Sequence, residues 1–149
     1  LAEDSGGAGE YRGGCGTGWE VEPLDHTMTV IAFGEGRQHP TMGAGGAEQI
    51  SPELKVGRLE ILHKDGQTDL YRKNTVTEIT PGERARNINP GGGGYGSSFD
   101  RNIQAVIKDV QERIISISAA KIEYGVVIDP ETLMLNEAET EYLRRQITA

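Results

Sequence analysis

The run Pro90-Gly91-Gly92-Gly93-Gly94-Tyr95-Gly96 is the part of this sequence whose composition most invites chemistry. Successive glycine N–H groups near a helix start can converge on an oxyanion. The same residues also suit a sharp chain reversal with close backbone packing, since glycine has no β-carbon to hold neighbours apart. Gly91, Gly93 and Gly96 formally satisfy G-x-G-x-x-G. A dinucleotide site, however, needs a buried parallel strand before that loop and an acid at the end of a second strand. Arg84 to Pro90 is too polar for the first, and Glu112, at the expected distance, falls inside a helical pattern. A P-loop is excluded because no Gly-Lys-Ser/Thr follows to supply the phosphate-binding lysine.

Arg12, Arg84, Arg86 and Arg101 sit in or beside glycine-rich segments. A guanidinium in such a place can bind a carboxylate or phosphate, or simply be solvated or ion-paired. His26, His39, His63 and Cys15 are scattered, without the i, i+4 or C-x-x-C spacing that aligns metal ligands. Cys15 has no neighbouring histidine or lysine in sequence to activate it. Glu139 with Glu141, and Asp129 with Glu131, read as solvated positions. No catalytic residue and no metal ligand is therefore assigned. Arg12, Gly91, Gly92, Gly93, Gly94, Tyr95 and Arg101 remain as ligand or interface candidates.

These residues must be positioned by a chain of 149 residues with a hydrophobic fraction of 36% and only 5% aromatics, enough for one domain with a modest core. Twenty-one glycines is about double the usual ~7% share, yet no G-X-Y period appears. The net charge of −8 disfavours nucleic-acid and anionic-membrane partners. No apolar stretch approaches the ~20 residues of a membrane span, the start lacks a signal-peptide pattern, and a lone cysteine suits the cytoplasm. The chain starts without methionine, as expected of a processed product or part of something larger.

Periodicity predicts α+β architecture, with an antiparallel β-rich first two-thirds, glycine-rich loops, and helices concentrated in the C-terminal third. One domain over 1–149 divides into a glycine-rich arm (1–18), a β-rich part (19–96) and a mainly helical part (97–149). The arm can bury little surface to offset its ordering entropy and needs support from elsewhere. Alternation predicts half-buried strands at Trp19 and Val21 and at Met28, Val30 and Ala32. Pro40 and Pro52 mark loop around the next glycine-rich connection. Asp65-Gly66 predicts a hairpin between Leu59, Ile61 and Leu70, and Thr75 to Thr80 a strand ended by Pro81-Gly82. Ile103, Val106, Ile107, Val110 and Ile114 predict a helix capped by Asp100 or Ser98. A second helix is expected from Ser118 to Tyr124, ended by Gly125, then a short strand Val126 to Ile128. Asn136 and Glu139 imitate a capping box before a terminal helix with Ala138, Tyr142, Leu143 and Ile147 as its apolar positions.

Three segments together carry a resemblance: Asp4-Ser5-Gly6-Gly7-Ala8-Gly9-Glu10-Tyr11-Arg12-Gly13-Gly14, the 90–96 run, and Ala119-Ala120 with Tyr124-Gly125-Val126-Val127. In this order and spacing, and with Asp100-Arg101 and Asp109-Val110 between them, the chain resembles the C-terminal part of the hydantoinase B and 5-oxoprolinase family. The resemblance implies work alongside hydantoinase A-like subunits that bind ATP and activate a carbonyl oxygen by phosphorylation. A full B-type subunit is several times longer, and its metal-binding histidine and aspartate motifs lie in an N-terminal part that this sequence lacks. The resemblance thus implies a small, non-autonomous subunit beside a larger hydantoinase B-like one, with ATP and divalent metal on the partners. Acetophenone carboxylase, which joins bicarbonate to an aromatic ketone, is the member expected from the subunit size. An ATP-dependent hydantoinase or 5-oxoprolinase-type amidohydrolase, a fragment of a complete B-type subunit, and an independent anion- or nucleotide-binding module are the alternatives.

Overall fold

The computed structural model describes residues 1–47 and 55–147. The loop position Pro52 lies outside these. Six strands come first: β1 (Gly18–Val21), β2 (Met28–Ala32), β3 (Arg58–Leu62), β4 (Thr68–Tyr71), β5 (Thr75–Ile79) and β6 (Arg84–Ile88). A short 3-10 turn, Ser98–Asp100, then leads to α1 (Ile103–Gln111), α2 (Ile117–Tyr124) and α3 (Glu137–Ile147). The architecture is α+β, with every strand pairing antiparallel.

The strands form one four-stranded sheet, ordered β1-β6-β3-β4, and one two-stranded sheet, β2-β5. Val30, Ala32 and Ile79 of the small sheet pack on Leu59, Ile61 and Ala85 of the large one, all buried. Period-two alternation is what allows this, because alternate residues of β2, β3 and β6 and the end of β5 face the partner sheet. The Lys64–Gln67 hairpin forms as expected. Gly66 takes φ of 84°, and Asp65 Oδ1 accepts the Gln67 N–H at 3.0 Å. A second cluster gathers the helices: Val106, Val110, Ile115, Ala119, Ala120, Tyr124, Val126 and Ile128 enclose Ala8 of the N-terminal arm.

Several expectations change. β6 lies within Arg84–Pro90, the segment read as too polar for a buried parallel strand. It is antiparallel to both neighbours, and only Ala85 and Asn87 of it are buried. Its charged residues are matched across the sheet by Glu20 and Glu60, which hides the strand from a hydrophobicity pattern. β1 is an edge strand exposed along its whole length, so Trp19 and Val21 alternate without being buried. Asn102, not Asp100 or Ser98, caps α1, its Oδ1 accepting from the Gln104 and Ala105 N–H groups. That helix stops at Gln111 because Arg113 turns to φ of 55°, leaving Ile114 outside it.

Val126 to Ile128 forms only one isolated bridge, Ile128 to Leu135, rather than a strand. Its amides are used locally: Val126 N–H closes the end of α2 on Ala120 O, and Val127 N–H donates to Thr140 Oγ1. Gly125 ends α2 in the left-handed conformation, with Ser116 as the N-cap. The Asn136–Glu139 capping pair is formed in both directions. On α3, however, Ala138 and Tyr142 are exposed, Leu143 is half-buried, and Thr140 is buried; the Ile147 side chain lies outside those described. Among the described residues, no helix is long and apolar enough to cross a membrane.

Candidate functional site

The support that the arm needs comes from this chain itself. Residues 92–96 run between the arm and the 42–47 segment as a backbone layer. Gly7 N–H donates to Gly92 O at 2.8 Å, Gly92 N–H to Gly14 O at 2.9 Å, and Tyr11 and Tyr95 exchange both backbone bonds. On the opposite side Ala44 N–H donates to Gly94 O at 2.9 Å and Gly96 N–H to Ala44 O at 3.0 Å. A β-carbon at Gly13 would sit 2.1 Å from Gly92 O, and one at Gly94 2.0 Å from Ala8 O. At Gly91 it would meet Ser5 O at 2.2 Å, and at Gly93 Met42 O at 2.1 Å. Glycine is required there by contact between backbones, not by φ, and the amides of Gly92, Tyr95 and Gly96 already donate within the chain.

Side chains fasten this layer to the helical cluster. Asp109 of α1, 6% exposed, accepts Arg12 Nε at 3.2 Å and Arg101 Nη2 at 2.8 Å on the same oxygen, Oδ2. Arg12 Nη1 also donates to Gly13 O at 2.7 Å and contacts Cys15 Sγ at 3.6 Å, while Arg101 Nη1 donates to Glu10 O at 2.9 Å. Arg144 of α3 completes the set by donating to Tyr124 O and Arg101 O. A charge-assisted bond is stronger where water is thinned out, so one carboxylate can hold two guanidinium groups and the loops that carry them.

Beside this clamp, Tyr124 is fully buried and its hydroxyl has no hydrogen-bond partner among the described residues. Burial pushes its pKa well above the ordinary phenol range, and the Glu123 charge adds to the effect, so it stays protonated and cannot serve as a base. A second fastening is a buried ion pair. Lys55 Nζ lies 3.1 Å from Glu123 Oε1 and donates to Asp4 O at 2.6 Å. Asp4, held at φ of 59°, accepts the Ser116 N–H on Oδ1 at 2.7 Å and donates its own N–H to Ile114 O. The arm is thus tied to the start of α2 as well.

The candidate residues consequently fall into three places. Arg12 and Arg101 meet on Asp109; Gly91 to Gly94 lie between backbone layers. Tyr95 is 58% exposed beside Tyr11, 64% exposed, with ring centroids 6.4 Å apart. Arg84 and Arg86 are elsewhere, both on Glu20 of β1 at 2.7 and 2.8 Å. Asp4 and Asp109 carry part of the resemblance, but neither they nor Lys55, Glu123 and Arg144 are among the ligand or interface candidates of the sequence. Asp109, between Lys108 and Val110, shows in the sequence only as a polar residue beside the apolar stripe of a helix. Among the described residues, no group of three His, Cys, Asp or Glu is placed to hold a metal ion. The assembly can shape and hold a surface; it contains no nucleophile paired with a base.

Residues 1–98 match the hydantoinase B/oxoprolinase family, and the chain belongs to it. The caprolactamase subunit beta of Pseudomonas jessenii is 54% identical over 140 residues, 94% of this chain and 24% of that protein. The crystal structure of the ATP-dependent caprolactamase from Pseudomonas jessenii superposes with a TM-score of 0.84 at 45% identity, over 97% of this chain and 25% of that one. The nucleotide-free acetone carboxylase structure shares the fold, with a TM-score of 0.76 at 23% identity over 99% of this chain and 24% of that one. The chain spans about a quarter of the length of these relatives.

Proposed function

We propose that this chain is a non-catalytic part of an ATP-dependent complex that opens a cyclic amide, with its glycine layer forming one wall of the contact to the rest of a hydantoinase B-type subunit. The observation behind this reading is the 54% identity to a caprolactamase beta subunit over nearly the whole chain. Amide hydrolysis driven by ATP requires a phosphorylated carbonyl oxygen and a water directed at the same carbon. The described residues offer neither a nucleotide cradle nor an activated base, so hydantoinase A-like subunits would bind ATP and a larger hydantoinase B-like chain would hold a divalent metal. Arg12 and Arg101 act at one remove, by keeping the arm on α1. Exposed Tyr95, Tyr11 and Met42, clustered over the glycine layer, are the surface offered to that partner.

Carboxylation of an aromatic ketone with bicarbonate, the acetophenone carboxylase reaction, is the second reading, supported by the shared fold with acetone carboxylase. The test is to recover the tagged chain with its native partners and assay the complex for ATP consumption with a lactam, a hydantoin, or acetophenone plus labelled bicarbonate. Lactam- or hydantoin-dependent ATP hydrolysis that stops when the chain is left out of the reconstitution supports the first reading. Fixation of label supports the second. Turnover by the isolated chain would overturn both.

A further inference from the structure

A cavity of about 450 Å³ lies away from the glycine layer, between the loop that follows β2 and the short connection from β4 to β5. Arg37, Arg72 and Lys73 line it, with His39, Asn74 and a single carboxylate, Glu35. Arg37 is only 6% exposed. Its Nη2 donates to Asn87 Oδ1 at 2.6 Å, but its Nη1 is buried with no hydrogen-bond partner among the described residues. Among the described residues, none of the three cations takes part in an ion pair, although most arginines and lysines of this acidic chain do. Removing a guanidinium from water without a counter-charge is costly, and native proteins nearly always supply one. Here the protein supplies only a neutral amide.

The site is also built, not improvised. Asn87 belongs to β6, one of the two inner strands of the large sheet, and is 4% exposed, so the Arg37 head rests on a fixed support. The loop is anchored by Gly57 N–H donating to Gly36 O at 2.8 Å, and its start by Gly34 N–H donating to Asn74 Oδ1 at 3.3 Å. The latter bond joins the two walls. Three cations against one carboxylate leave a local positive excess in a chain of net charge −8, and a cavity with low-dielectric walls focuses that field.

We propose that this cavity binds a small oxyanion of at least two negative charges, a phosphate or a dicarboxylate, with Arg37 as its fixed donor and Arg72 and Lys73 closing over it. The proposal is independent of which reaction the complex performs. It is tested by titrating the full chain with inorganic phosphate and, separately, succinate at constant ionic strength, following the backbone amide resonances of Gly36, Lys73 and Asn74 by NMR. Saturable shifts confined to this region support it, and whichever anion saturates at lower concentration identifies the oxyanion type. R72A/K73A, which alters only exposed side chains, weakens binding by about tenfold or more, and E35Q tightens it about threefold by removing the repelling charge. Arg37→Gln abolishes it; should that variant fail to fold, the exposed pair and E35Q still decide. Shifts that stay linear with both anions, or affinities unchanged in R72A/K73A, would overturn the proposal.

Discussion

The glycine layer and the inter-sheet core hold the same molecule together by opposite means. Between the sheets, Leu59, Ile61 and Ile79 are fully buried in a cluster of packed apolar side chains. In the layer of 5–16, 90–96 and 42–47, contact is made by main chain on main chain, and the side chains that matter stand at its border on Asp109 and Glu123. A side-chain core relaxes around a lost methyl group, because rotamers and neighbours can shift. A backbone layer has no such slack, since the atoms that would have to move are held by hydrogen bonds on both sides. The two regions should therefore fail differently.

The sharpest break is Gly94→Ala or Gly13→Ala, whose new methyl group would stand about 2 Å from a carbonyl oxygen. Each should cost upwards of about 4 kcal/mol or prevent folding, as measured by urea unfolding. Gly14→Ala is the matched control, because a β-carbon there would meet nothing within 4 Å and its φ is not in the left-handed range. It should stay within about 0.5 kcal/mol of the parent. Next is Asp109→Ala, which strands two guanidinium groups on one site and should cost roughly 3–5 kcal/mol. Its distinguishing sign is early release of the arm, seen as loss of amide protection at Gly7 and Gly92 before the sheets exchange. Leu59→Ala, by contrast, should cost about 3 kcal/mol and leave the protection pattern of the arm unchanged.

The smallest effect probes how the sheets are tied at their outer end. His63 of the β3–β4 hairpin lies 2.8 Å from Glu83 Oε1 and 3.2 Å from Asp69 Oδ2, linking that hairpin to the turn before β6. The Glu83 hydrogen bond and then that of Asp69 raise the His63 pKa, while the same histidine, with the Thr80 N–H and hydroxyl, lowers that of Glu83 to about 2. The folded histidine thus binds its proton more tightly than the unfolded one. Its contribution is complete below the unfolded value of about 6.5 and is lost as pH rises through the folded pKa. Glu83 works in the other direction, contributing above its unfolded value and losing that contribution as pH falls from about 4.5 towards about 2. Chemical denaturation of the parent and of His63→Gln, from mildly acidic to mildly alkaline pH, should show the two stabilities converging as pH rises. A constant gap would remove His63 as the cause.

Local signals in the sequence were read accurately where a residue acts on its own neighbours. Gly66 in the hairpin, Gly125 at the end of α2 and the Asn136–Glu139 pair act over two to five residues, and each stands where its chemistry placed it. The cap of α1 lies two residues past Asp100 and four past Ser98, because all three are capable caps and only the backbone at Asn102, with φ of −55° and ψ of 127°, puts its side chain on the first free amides of the helix. β6 has no hydrophobic signature and β1 shows alternation without burial, because the carboxylates that neutralise Arg84 and Arg86 come from other strands, Glu20 of β1 more than sixty residues away and Glu60 of β3 twenty-six. The same holds for the candidate site. The glycine run was conspicuous, but nothing near it in the sequence says that Gly92 faces Gly13 and Gly14 or that Asp109 unites Arg12 with Arg101.

From composition and spacing alone this chain is already an acidic, glycine-rich α+β polypeptide with a small core, a helical last third and one hairpin at Asp65-Gly66. Those properties follow from single residues and their periods, which act through local backbone geometry and the partition of side chains between water and interior. Which backbones touch, which carboxylate gathers two arginines, and which buried arginine is left without a counter-charge were decided only by folding. They depend on distances between residues far apart along the chain, and no local preference encodes a distance of that kind.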